Sequence, residues 1–286
     1  MLAKLLEGKI IASKIKEELK QEIASLKQKT ASLPVLASVL VGDNQGAQIY
    51  ANSQKKVAEE LGIEYRLEKL SDSVTQNELI DFIKQLNKDS SVNGIIVQMP
   101  LPKQIDYKLI SSFIAPEKDA EGMHPQNLGK VLLGKAKISP CTAKSAFELV
   151  KSTGVKLYGK EVVIVGHSEI VGKPLSLLFL EEFATTTVCH IGTSEAGKLI
   201  EHVGRAEILC VAVGKAGLIK GQWIKQSAIV IDIGINRVEG KVVGDVEFEE
   251  ASKRASYITP VPGGVGPLTT TMLMKNTIEV FKLQKL

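Results

Sequence analysis

The sequence has 286 residues, 44% hydrophobic, 24% charged and 5% aromatic, a composition that fits a globular chain long enough for two domains and excludes disorder. Thirty-six Lys and Arg against 32 Asp and Glu leave +4, too little for the basic stripe of a nucleic-acid binder, and no apolar run approaches the ~18–20 residues of a membrane span. Cys141, Cys189 and Cys210 lie far apart and outside any CxxC or Cys/His pattern, so they read as core thiols, and neither a disulfide framework nor a metal site is predicted.

Residues 1 to 9 alternate charges with apolar residues and carry no signal-peptide core, which predicts a cytoplasmic chain. Residues 9 to 29 place Ile10, Ile11, Ile15, Leu19, Ile23 and Leu26 at the helical period. After Pro34, the run Val35 to Val41 reads as a buried strand that leads through Gly42-Asp43-Asn44 into a helix over about 45 to 61. A strand over 63 to 70, a helix near 75 to 87 and a strand over 94 to 98 complete a βαβαβ alternation, the pattern of a parallel sheet with covered faces. Residues 98 to 142 are rich in Pro, Gly and polar residues and read as site-building loops, followed by a connector helix over 143 to 153. A second alternation follows: strand 161 to 165, helix 172 to 183, strand 186 to 190, helix 195 to 203, and strands 207 to 213 and 228 to 233. The predicted class is therefore α/β with two domains, 1–142 plus 267–286 and 143–266, the last helix (267 to 282) returning to the first.

Val165-Gly166-His167-Ser168-Glu169-Ile170-Val171-Gly172-Lys173-Pro174 follows a buried strand and opens a helix. Gly166 would permit a tight turn and Gly172 a close helix–strand approach, leaving helix N–H groups to face a pyrophosphate, as in a Rossmann-like doubly wound sheet. The spacing, GxSxxxG, is weak by itself and serves equally as a structural turn. No carboxylate stands where a ribose 2′-hydroxyl would be read, the neighbourhood being Cys189-His190-Ile191-Gly192. That removes a repulsion against a 2′-phosphate, and His167 is the nearby turn residue able to become cationic.

Gly42-Asp43-Asn44, Gln48-Ile49-Tyr50, Ile96 to Pro102, Pro140-Cys141-Thr142, Val165 to Pro174, Val230 to Asn236, Gly244-Asp245-Val246 and Pro260 to Thr269 together resemble, in order and nearly end to end, the methylenetetrahydrofolate dehydrogenase/methenyltetrahydrofolate cyclohydrolase family. The resemblance implies a cleft between two domains in which 5,10-methylenetetrahydrofolate gives hydride to NADP⁺, with NAD as an alternative, and water then opens the methenyl product to 10-formyltetrahydrofolate. It implies a homodimer whose partners are tetrahydrofolate derivatives rather than nucleic acid or membrane. It also implies catalytic roles for Tyr50, Gln98 and Glu121 and for position 54. Substrate contacts are implied at Tyr50, Gln98, Pro100, Leu101, Glu121, Pro262, Gly263 and Gly264, and cofactor contacts at Gly166, His167, Ser168, Ile170, Ile191, Gly214 and Ile235.

The chain departs from the family pattern Tyr-x-x-x-Lys: Tyr50 is followed four residues on by Gln54. Positions i and i+4 share a helix face, whereas Lys55 and Lys56 lie about 140° and 120° away on either side, so Gln54 is expected to point inward and neither lysine to replace it. A family serine is replaced by Ala47, the second aspartate of Asp-x-Asp-Gly by Glu121, and the proline after Pro-Cys-Thr by Ala143; the loop after Cys189-His190 is several residues longer than the family's and lacks the family's serine. Hydride transfer needs mainly orientation, but ring opening needs proton movement, and losing a general acid/base costs ~10²–10⁴-fold. The expectation is a dehydrogenase with weak or absent cyclohydrolase activity. The alternatives are full bifunctionality, with Glu121 or a water chain taking over, and a folate- or dinucleotide-binding protein without turnover.

Overall fold

The computed structural model describes residues 2–286. In chain order the elements are β1 (Lys4–Leu5), α1 (Gly8–Thr30), β2 (Val35–Val41), α2 (Gln45–Leu61), β3 (Glu64–Leu70), α3 (Gln76–Lys88), β4 (Gly94–Val97), α4 (Tyr107–Phe113), α5 (Pro125–Leu132) and α6 (Cys141–Lys151). The rest are β5 (Glu161–Val165), α7 (Gly172–Glu181), β6 (Thr185–Cys189), α8 (Ile191–Glu195), α9 (Leu199–Arg205), β7 (Ile208–Val211), β8 (Ile229–Asp232), β9 (Asn236–Val238), β10 (Lys241–Val243), α10 (Phe248–Arg254), β11 (Tyr257–Ile258) and α11 (Val265–Lys285).

Two compact units form. One holds Lys14–Cys141 with Thr270–Leu286; the other holds the segment ending at Ser13 with Thr142–Thr269. The opening segment, expected with residues 14–142, groups with the second because β1 pairs in parallel with β11.

The first unit is built on a parallel sheet in the order β3-β2-β4. Strand alternation gives it two different faces. Ala37, Val39, Val41, Ile95 and Val97 pack into an apolar core with Leu79, Ile80 and Ile83 of α3. The register pairs Leu36 with Tyr65 and Gly94, and Ser38 with Leu67 and Ile96, so Tyr65, Ser38 and Gln98 share the opposite face. A capping box between Thr75 and Glu78 starts α3, and the left-handed Gly62 ends α2.

The second unit carries a parallel six-stranded sheet, β1-β11-β8-β7-β5-β6, with a core of Val163, Val165, Leu209, Val211 and Val230. From β5 the chain winds one way to β6 and the other way to β7, a topological switch point at the carboxyl end of β5 where α/β sheets take ligands.

Three expectations are corrected. Residues 98 to 142 contain two short helices: Asp106 caps α4, and His124 followed by Pro125 starts α5. The expected helix over 195 to 203 is two helices, α8 and α9, separated at the left-handed Gly197. The hairpin β9–β10, α10 and the short strands β1 and β11 lacked enough residues to show a period. Cys141, Cys189 and Cys210 are buried in the core, as read from sequence. Among the described residues no helix is long and apolar enough to cross a membrane, and no His/Cys/Asp/Glu group could hold a metal.

Candidate active site

Asn44 caps α2 by accepting from the Ala47 amide, and the helix turns Ala47, Ala51, Gln54, Ala58 and Leu61 into the protein. Gln54 is fully buried, while Lys55 and Lys56 are exposed and Lys55 pairs with Glu59 at 3.7 Å. The inward amide meets the polar face of the sheet. Gln98 Nε2 donates to Gln54 Oε1 at 2.7 Å and to Ser38 Oγ at 2.9 Å. The Tyr65 hydroxyl donates to the same Gln54 oxygen at 3.0 Å, and Gln54 Nε2 reaches Gln98 Oε1 at 3.4 Å. Hydrogen bonds thus link four side chains, Tyr65, Gln54, Gln98 and Ser38, through position 54. Burial pushes the Tyr65 phenol up to about 12, so it keeps its proton and acts as a donor.

Tyr50 lies one turn before Gln54, with its phenol next to the side chains of Gln54 and Thr270. Its phenol is held well above the ordinary value by burial first, then by the neighbouring Cys141 and Glu121. Glu121 belongs to a loop pinned from two sides. The wholly buried Asp119 accepts from the amides of Gly122 at 2.9 Å and His124 at 2.8 Å and from Asn127 Nδ2 at 2.9 Å. From α11, Asn276 Nδ2 donates to the carbonyls of Ala120 at 2.9 Å and Ser139 at 3.0 Å. The Glu121 carboxyl accepts from the Tyr107 hydroxyl at 2.7 Å. Burial pushes it up to about 7; the Tyr107 hydrogen bond pulls down and the Asp119 charge adds upward. Tyr50, Gln54, Gln98 and Glu121 therefore form one cluster. Pro100 is exposed beyond β4, whereas Leu101 is half-buried and packs with the α3-side core.

In the second unit Gly166 ends β5 at φ 121°, a conformation that favours glycine, and a Cβ there would strike the Ala212 carbonyl. A Cβ at Gly172 would strike the Gly166 carbonyl, so both glycines let α7 start hard against the strand. Ser168 Oγ accepts from the Val171 amide at 3.2 Å, the Ser168 carbonyl accepts from the Lys173 amide at 3.0 Å, and no side chain caps α7. His167 and His190 lie ring to ring at 5.1 Å, and Nδ1 of His190 accepts from the Gly192 amide. Both are exposed, as is Ile191; Ile170 is half-buried.

Two buried aspartates shape the neighbouring loops. Asp245 accepts from the amides of Val213 at 2.7 Å, Gly214 at 3.0 Å and Lys215 at 2.8 Å and from Asn236 Nδ2 at 2.8 Å. Asp232 accepts from Gly234 at 3.0 Å, Asp245 at 3.0 Å and Val246 at 2.9 Å; burial pushes its carboxyl up to about 6 against those three N–H groups. A Cβ at Gly234 would collide with Asp245 and one at Gly244 with Asp232, which is why the carboxylates are flanked by glycines. Ile235, Pro262, Gly263 and Gly264 line a cavity of about 390 Å³ with Asp232 and Lys9.

Sequence reasoning placed Tyr50, Gln54, Gln98 and Glu121 but missed Ser38, Tyr65, Tyr107, Asp119, Asn276 and Asp232. For Ser38 and Tyr65 the available signal was a polar residue at the inward parity of a strand; Tyr107 left none.

Residues 6–121 match the catalytic domain of tetrahydrofolate dehydrogenase/cyclohydrolase, and residues 140–285 match its NAD(P)-binding domain. The chain is 50% identical over 285 residues to the bifunctional protein FolD of Acetivibrio thermocellus, covering 99% of each. A FolD methylenetetrahydrofolate dehydrogenase/cyclohydrolase structure from Campylobacter jejuni superposes with TM-score 0.94 at 46% identity, covering 98% of this chain and 99% of that one. The Trypanosoma brucei enzyme, complexed with NADP and an inhibitor, gives 0.93 at 38% identity, covering 99% and 98%. The matched domains and these identities show that the chain belongs to the tetrahydrofolate dehydrogenase/cyclohydrolase family.

Proposed function

We propose that the chain oxidises 5,10-methylenetetrahydrofolate to the methenyl compound with NADP⁺, NAD⁺ being the alternative acceptor, and opens that product to 10-formyltetrahydrofolate weakly or not at all. The carrying observation is the fully buried Gln54 amide, bonded to Gln98 and Tyr65, with both neighbouring lysines outside. An amide donates and accepts hydrogen bonds but exchanges no proton near neutral pH.

When bound, the dinucleotide supplies the hydride acceptor. The chain's part in that step is orientation. Tyr50, Gln98 and Glu121 hold the folate, with Pro100, Leu101, Pro262, Gly263 and Gly264 as further contacts. Gly166, His167, Ser168, Ile170, Ile191, Gly214 and Ile235 hold the dinucleotide. NADP is supported by the missing acidic residue after β6, by the paired His167 and His190, and by the cofactor in the trypanosomal relative. Ring opening additionally needs a group that moves a proton between water and the opening ring, and position 54 cannot do so. A homodimer through the six-stranded sheet is supported by β6, an edge strand beside the exposed Tyr158, Leu180 and Phe183.

The test follows NADP⁺ reduction with methylenetetrahydrofolate and, separately, loss of methenyltetrahydrofolate corrected for its spontaneous hydrolysis. Dehydrogenation is expected without comparable hydrolysis, and Gln54→Lys should raise hydrolysis by up to ~10²-fold. Hydrolysis by the unaltered chain at a rate matching dehydrogenation would overturn the proposal.

One observation favours a second reading, retained bifunctionality. Glu121, pushed up to about 7 and held by Tyr107, is a carboxyl able to exchange protons near neutral pH.

A further inference from the structure

Gln54 has one amide oxygen, and two donors occupy it: Gln98 Nε2 at 2.7 Å and the Tyr65 hydroxyl at 3.0 Å. The amide nitrogen is thereby left on the side of Gln98 Oε1, at 3.4 Å, and of Tyr50. Rotating the amide by 180° would put its N–H groups against the Nε2 of Gln98, donor against donor, and would take the carbonyl away from the Tyr65 hydroxyl proton. The Tyr65 proton and the Gln98 N–H favour the same orientation, because both meet the amide carbonyl there. Nothing in the Tyr-x-x-x-Gln spacing of α2 sets this choice; it comes from Tyr65 on β3, eleven residues further along the chain, and from Gln98 after β4.

We infer that Tyr65 is a positioning residue of the active site: it locks the Gln54 amide so that position 54 presents a neutral N–H donor to Tyr50 and Gln98. Gln54 then keeps one service that an ammonium at this position could give, donation to the two folate-side groups, without proton exchange. Ser38 supports the same orientation by accepting from the second N–H of Gln98. The inference rests on the proposed folate dehydrogenase activity, since Tyr50 and Gln98 act there on the substrate.

A double-mutant cycle tests it, with Tyr65→Phe, Gln54→Leu and the pair assayed for dehydrogenase kcat and KM towards methylenetetrahydrofolate at saturating NADP⁺. Tyr65→Phe should lower kcat/KM about three- to tenfold, mainly through KM, as expected for one lost hydrogen bond. In the Gln54→Leu background the same change should alter kcat/KM less than about twofold, because the group it orients is gone. An equal loss in both backgrounds, or no loss when Gln54 is present, overturns the inference. Phenylalanine keeps the ring, and a Tm measured for each variant identifies any loss that is only unfolding. If the unaltered chain fails to turn over methylenetetrahydrofolate, the proposed function falls, and the cycle is read instead in tetrahydrofolate affinity, where additivity of the two changes overturns the inference.

Discussion

Of the departures from the family pattern, Gln54 is the one that removes a proton-exchanging group, and its neighbours explain how it is accommodated. A lysine at position 54 would place an ammonium among Gln98 Oε1 and the phenol oxygens of Tyr50 and Tyr65, all able to accept. Gln54→Lys is therefore expected to fold, with its charge hydrogen-bonded rather than stranded. Glu121 is the other informative residue. Its carboxyl binds a proton more tightly in the folded chain, at about 7 against an ordinary 4.5. The folded state then holds more protons than the unfolded state between those values, so this contribution to stability is full below the lower one and is lost as pH rises through the upper. Denaturant titrations near pH 5 and near pH 8 should show the unaltered chain losing on the order of 2 kcal/mol relative to Glu121→Gln. Equal changes in the two proteins would refute the assignment. The variant also separates the two readings of function: if Glu121 moves the proton, methenyltetrahydrofolate hydrolysis above the spontaneous rate disappears in Glu121→Gln.

At the scale of elements, the loops around the site are held less by strands than by buried acceptors on their backbones. Asp119 holds the turn carrying Glu121, and Asp245 gathers three consecutive amides, Val213 to Lys215, next to Gly214. Asp245→Ala strands those donors in a buried setting, and each unsatisfied one costs about 1–3 kcal/mol. We expect a fall in unfolding free energy of about 3 kcal/mol and, in the protein that remains folded, a higher KM for NADP⁺ with kcat nearly kept. A variant with unchanged KM for NADP⁺ would show that Gly214 and its neighbours do not serve the dinucleotide. The same scale explains the misread helices. α4 and α5 have seven and eight residues and start at local caps, Asp106 and His124-Pro125, inside a stretch whose Pro and Gly content reads as loop.

For the whole molecule, the proposed homodimer puts β6 to use as more than an edge. Its outer side leads to Tyr158 and Phe183, 79% and 72% exposed and in ring contact at 5.8 Å. Sedimentation should give twice the 30.9 kDa chain mass, with Phe183→Lys shifting the equilibrium towards single chains. A monomer at micromolar concentration would remove the dimer from the proposal.

Much was legible in the sequence. β2, α2 and β5 each announced their bounds, through a largely apolar run or a helical period closed by glycine. The GxSxxxG turn identified its own two close approaches, at Gly166 and Gly172. The i+4 rule places Gln54 inward and both lysines outward, as the structure has them. These features follow from local periodicity and sterics, which a linear sequence carries in full. Only the tertiary structure decided what Gln54 meets. Ser38 and Tyr65 lie on β2 and β3 and Gln98 directly follows β4, so their common face depends on the β3-β2-β4 register. The same holds for the proton held by Glu121, because burial and the approach of Tyr107 from α4 are products of packing. By itself, then, the sequence determined that position 54 is neutral and buried. Packing decided which way its amide points and which carboxyl beside it can still exchange a proton, because hydrogen bonds and desolvation act between residues distant along the chain.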